Sequence, residues 1–132
     1  MSTKAIMITS TFFLGLTGAI LTFIPNEISS YLDITENPIS TISFQLLGAL
    51  YLGFAMINWM TKDALIGGIY NKPLVVANLL HFTVGTLALG RLLSEIEIQS
   101  TIIISITTIY AILALLFGYM FRTNPFKTEV EK

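Results

Sequence analysis

The sequence predicts an all-α fold, an integral-membrane four-helix bundle with both termini cytoplasmic. Three observations predict it. Of 132 residues, 54% are apolar and only 11% charged, against roughly 25% charged in an average soluble domain. Four apolar runs reach the roughly 20 residues that a helix needs to cross the hydrocarbon layer. The few charges are clustered between those runs, so a small soluble domain could not cover its surface with them. The chain is expected to form a single domain over residues 1–132.

The first run extends from about residue 5 to 24 and is stopped by Pro25. It reads as a span and not a signal peptide, since it exceeds the usual apolar core and no small-x-small cleavage site follows. The second extends from about 39 to 60. The third, about 73 to 93, opens on Pro73 after Asn71 as N-cap. The fourth covers about 98 to 121. Between the first two, Ile28, Tyr31 and Leu32 stand at helical spacing, which fits either a short interfacial helix or a polar loop. Gly67-Gly68 breaks the second connection. "SEIEIQS" (Ser94–Ser100) is expected to be a tight turn joining the last two spans as a hairpin, and the segment after Arg122 is a polar tail.

Orientation follows from the cations. With the N-terminus inside, Lys4, Lys62, Lys72, Arg122, Lys127 and Lys132 lie on the inner side and only Arg91 on the outer. The outer connections are acidic, with Glu27, Asp33, Glu36, Glu95 and Glu97.

Helices in lipid associate through small residues and interhelical hydrogen bonds, so each span should turn a small and polar stripe inward. The stripes are Thr11, Gly15, Gly18 and Thr22 in the first span, then Gln45, Gly48, Tyr51, Ala55 and Asn58 with Trp59 beside them in the second. The third carries Asn78, His81, Gly85 and Ala88, and the fourth Thr107, Ala111, Ala114 and Gly118 with Tyr110 at its edge. Matching depths in antiparallel spans predicts an inner polar layer of Asn58, Asn78 and His81. An outer layer would hold Gln45 and Arg91, with Tyr51 between the two. These six residues, Gln45, Tyr51, Asn58, Asn78, His81 and Arg91, are the candidate ligand-binding set, because polar groups inside a span are costly and often functional. The bland readings are also open. Arg91 can snorkel or pair with Glu95 at i+4, His81 can donate to a carbonyl, Asn78 or a tyrosine, and the asparagines can be helix glue. Trp59 and Tyr70 read as interface anchors, and Met56 and Met60 as packing filler.

The absence of cysteine removes thiolate catalysis and thiolate metal sites. One histidine and no carboxylate within a span disfavour zinc, haem and Ser/His/Asp chemistry. A net charge of −1 without basic runs excludes nucleic acid as a partner. No catalytic residue and no cofactor is assigned. The leading expectation is a non-catalytic protein that binds a lipid-like or quinone-like molecule or serves as a subunit of a membrane assembly. A transporter or channel component and a redox-associated enzyme subunit stand as alternatives. Membrane lipid, a small apolar ligand such as a quinone, a second copy of the chain or a larger membrane complex are the partners considered.

"LLGALYLGFAMINW" (Leu46–Trp59) and "LALGRLLS" (Leu87–Ser94) resemble the DoxX-like superfamily of small four-helix membrane proteins, and more closely an uncharacterised bacterial group within it. The likeness runs from Phe44 to Ser94 and rests on Gly48, Tyr51, Gly53, Gly90 and Arg91. It implies a four-helix bundle in a bacterial inner membrane. Some members are linked to quinone or sulfur redox systems and others have no assigned activity. The lack of cysteine here counts against thiol-based redox work.

Overall fold

The computed structural model describes residues 3–35, 37–63, 71–95 and 101–123. Five helices follow in order: α1 (Thr3–Phe23), α2 (Pro25–Tyr31), α3 (Pro38–Thr61), α4 (Lys72–Glu95) and α5 (Thr101–Arg122). Four of them, α1, α3, α4 and α5, are long and apolar enough to cross a bilayer. At 1.5 Å per residue each covers the roughly 30 Å hydrocarbon layer. The fold is all-α, and the chain is a multi-pass membrane protein. It forms two compact units, residues 1–63 and 64–132. Gly67-Gly68, Tyr70, most of the Ser94–Ser100 turn, the start expected at residue 98, Glu36 and the tail lie outside the described residues.

In the first unit α1 and α3 pack as an antiparallel pair joined by α2. Pro25 ends α1, because its ring cannot continue the hydrogen-bond ladder, and it then serves as the first residue of α2. The expected helical spacing of Ile28 and Tyr31 is thus realised as a seven-residue helix. That helix closes with Asp33 in the left-handed region at φ 53°, with Ile34 N–H donating to Ser29 and Asp33 N–H to Ser30. This Schellman-type arrangement satisfies carbonyls that would otherwise be orphaned. At the start of α3, Asn37 Oδ1 accepts from Ser40 N–H at 2.9 Å, while Asn37 N–H donates back to Ser40 Oγ at 3.2 Å. With Pro38 at the first helical position this is a complete capping box.

Gly18 and Gly48 set the spacing of the pair. A Cβ on Gly18 would stand 2.9 Å from the Gly48 carbonyl, and one on Gly48 would stand 2.8 Å from the Gly18 carbonyl. The two backbones therefore meet directly, as small residues permit in lipid. Gly15 faces Ala55 one to two turns away. The expected stripe of α1 meets α3 at Gly15 and Gly18, and the fully buried side chains of α1 are Ile6, Met7, Ser10 and Leu14, of which Ser10 also reaches α3.

In the second unit α4 and α5 form another antiparallel pair. Asn71 immediately precedes α4 and its carbonyl accepts from Val75 N–H at 3.3 Å. The buried residues of α5 are Tyr110, Leu113, Phe117 and Met120. This departs from the small stripe predicted for the interior, because Phe82 stacks on Phe117 at 5.6 Å and meets Tyr110 edge-on at 5.3 Å. Aromatic faces bring more contact area than a row of alanines, and they take the buried side. Ala88 is exposed, as are Met56 and Met60 of the first unit.

Several threonine hydroxyls on the spans are satisfied by their own helices. Thr17, Thr86, Thr107 and Thr108 each donate to the carbonyl four residues back at 2.7–2.9 Å. This back-bonding is what lets threonine sit where no water reaches.

At one end of the first unit Lys4 pairs with Asp63, and Lys62 Nζ stands 3.9 Å over the Trp59 ring. The hydrogen bond from Lys4, together with the charges of Lys4 and Lys62, holds the Asp63 carboxyl below its ordinary 3.8. A depressed carboxylate stabilises the fold above its unfolded pKa and ceases to do so as pH falls through the folded one. The pair is solvent-exposed, so the effect is small and salt-screened. Melting curves of wild type and Asp63→Asn should therefore differ slightly at neutral pH and converge below the carboxylate range. A difference that grew on acidification would contradict this.

Candidate functional site

Along α3, Gln45, Tyr51 and Asn58 are strung over roughly 20 Å, and each meets different neighbours. Gln45, half-buried, borders a shallow polar recess of about 470 Å³ with Asn26, Asn37 and Thr41. Within it the Thr41 hydroxyl donates to Asn26 Oδ1 at 3.1 Å. Tyr51 is half-buried against Gly18. Asn58 is fully buried, and its Nδ2 donates to Ser10 Oγ at 3.1 Å. Ser10 in turn donates to the Met7 carbonyl at 2.9 Å. The result is a short buried relay that ties α3 to α1. Sequence reading proposed Asn58 but missed Ser10. A lone serine one residue before Thr11 carries no signal until α3 is placed beside it.

Hydrogen bonds between membrane helices are worth about 0.6 kcal/mol on average and up to roughly 1.7. Full burial and the Ser10 relay put this one toward the upper part of that range. A double-mutant cycle on Ser10→Ala and Asn58→Ala should give a coupling of about 1 kcal/mol in reversible unfolding. Strictly additive losses would show that the two side chains do not act together.

On α4, Asn78 is fully buried and its Nδ2 donates to the Leu74 carbonyl at 3.0 Å. His81 is half-buried, with Nε2 3.3 Å from the Tyr110 hydroxyl. When the ring proton is on Nδ1, that hydroxyl donates to Nε2. The imidazole also meets Phe82 edge-on at 5.1 Å. One of the partners that sequence reading allowed for His81, a tyrosine hydroxyl, is thus present, and it is supplied by Tyr110. The ring of Tyr110 lies against Gly85, where a Cβ would be 2.6 Å from Cδ1.

Arg91 turns outward. Its side chain is 81% exposed and its Nε donates to Glu95 Oε1 at 2.8 Å. The i+4 spacing produces the helical ion pair, and a long stem near the helix end carries the head toward water. The pairing with Glu95 that the i+4 spacing allowed is thus present.

A further cavity was not anticipated. On the flank of the α4–α5 pair, an open groove of about 700 Å³ runs between Leu79, Thr83 and Thr86 on one side and Ala111, Ala114 and Gly118 on the other. Leu87 and Leu115 add apolar walls, and Tyr119 and Arg122 lie at one end. The small residues expected to pack inward in α5 line this groove. The only sequence signal was their spacing, which reads equally well as helix packing.

Among the described residues no group of three histidine, aspartate or glutamate side chains could hold a metal ion. No family model matches the chain, and neither the curated proteins nor the solved structures provide a match.

Proposed function

We propose that this is a non-catalytic protein of the bacterial cytoplasmic membrane, both termini inside, that retains a lipid-like or quinone-like molecule on its helices. The observation that carries the reading is the groove between α4 and α5. Its volume falls within the roughly 300–1,000 Å³ of small-molecule sites, and its lining is mostly apolar, with Thr83 and Thr86 along one wall and Tyr119 and Arg122 at one end. The polar side chains inside the spans support the non-catalytic part. Asn58 is engaged by Ser10, and the His81 imidazole by Tyr110, so both have structural work. The excess of cations on one set of connections supports the orientation. The likeness of Leu46–Trp59 and Leu87–Ser94 to DoxX-like proteins supports the bacterial setting.

Native mass spectrometry of the full chain, extracted from its own membrane, tests the proposal. The expected spectrum contains the chain carrying a small hydrophobic molecule that survives activation sufficient to strip detergent. A bare chain would overturn it. A bare chain held in fixed ratio by another membrane protein would replace it with the reading of an assembly subunit.

A further inference from the structure

Resting on the ligand-retention reading, we propose that the α4–α5 groove holds one acyl chain of an anionic phospholipid, with its phosphate at Arg122. The groove's length supports this. From Ala111 to Arg122 it extends over roughly 16 Å of helix, about half of the ~30 Å hydrocarbon layer. That is the depth of one leaflet, which a single chain fills from headgroup to midplane.

The floor has the matching chemistry. Ala111, Ala114 and Gly118 leave a smooth channel, and a Cβ on Gly118 would make only ordinary contact with Leu79, 3.7 Å away. Thr86 donates its hydroxyl to the Phe82 carbonyl at 2.7 Å, so it offers the groove little polarity. A quinone would need donors for its carbonyls along the channel and a ring to stack against. The one ring that lines the groove, Tyr119, stands at its charged end, and Phe82, Phe117 and Tyr110 are buried on the neighbouring face.

The end of the groove supplies charge complementarity. Arg122 occupies the last turn of α5, is exposed, and forms no ion pair among the described residues. A guanidinium suits a phosphate through its forked donors, and Tyr119 beside it is an amphipathic ring at the level where such rings anchor. Arg122 also complements the helix dipole, but that role would be indifferent to which lipid is present.

The test reconstitutes the full chain in nanodiscs of equimolar phosphatidylglycerol and phosphatidylcholine with identical acyl chains. Lipids co-retained with the protein are counted by native mass spectrometry. The wild type should retain phosphatidylglycerol over phosphatidylcholine roughly five-fold, the scale set by one cation near an anionic headgroup. R122Q should bring that ratio close to one while a phospholipid remains bound. A114F, which fills the channel, should lower total retained lipid several-fold whatever the headgroup, and G118L provides a second filling variant should A114F fail to fold. No enrichment in the wild type, or enrichment unchanged by R122Q and by filling, would overturn the proposal. So would a lipid-free dimer, which would make the groove a contact between copies. A chain from the native membrane that carries a quinone would sink this assignment and leave ligand retention standing.

Discussion

Gly48→Leu is expected to unpair α1 from α3, and Gly48→Ala to weaken the pair measurably. Alanine gains up to about 1 kcal/mol of helix propensity over glycine. Against that, its Cβ would lie 2.8 Å from both the Gly18 carbonyl and the Thr22 amide. Main-chain atoms cannot swing aside as a side chain would, so the helices must separate. Overpacking of this kind costs roughly 1–3 kcal/mol, and the separation would also strain the Asn58–Ser10 bond further along the interface. The clash outweighs the propensity, and a net loss of about 1–2 kcal/mol is expected for alanine. Leucine adds three more carbons with nowhere to go. Thermal melting in detergent, followed by circular dichroism, reads the effect. An alanine variant as stable as wild type would show that the two backbones are not in direct contact. Gly18→Ala is the reciprocal test, since its Cβ meets the Gly48 carbonyl at 2.9 Å.

Gly85→Ala is expected to have the second large effect, through Tyr110. The added methyl would occupy the space of the Tyr110 ring, which is buried and held edge-on by Phe82. An aromatic ring cannot yield by bending, so it must leave its seat and take the His81 contact with it. The expected loss is about 3 kcal/mol, at the upper end for overpacking plus a lost aromatic pair. Tyr110→Phe separates the two contributions. It keeps the ring and removes the hydroxyl, and should cost only about 1 kcal/mol. In the double variant Gly85→Ala/Tyr110→Leu the smaller side chain makes room, and part of the stability should return. Equal losses for Gly85→Ala and Tyr110→Phe would mean that the hydrogen bond, not the ring, matters at this position.

These effects show which part of the architecture was legible in the residues. Length and hydropathy determined four crossing helices, because a backbone in lipid must satisfy its own hydrogen bonds and a helix of about 20 apolar residues does so. The stops were legible too. Pro25 ends α1, Asn71 stands just before α4, and the end expected near residue 93 falls within two residues of the observed Glu95. The capping box was present in the letters but was not read, because Asn37 fell in the connection and Ser40 in the span.

By itself, then, the sequence determined the class of the fold, the medium and the approximate ends of each span, since these depend on periodicity and transfer energy along one segment at a time. Tertiary structure decided which face of each helix is buried. In α1–α3 the glycine stripe does meet its partner, whereas in α4–α5 the aromatic residues take the buried face and leave Ala111, Ala114 and Gly118 lining an open groove. It also selected Ser10 for Asn58 and Tyr110 for His81, whereas the Arg91–Glu95 pair lies within one helix and was legible from its i+4 spacing. The physical reason is that a small stripe on an isolated helix is compatible with close packing and with a ligand channel alike. Only the volume of the side chains on the facing helix distinguishes them.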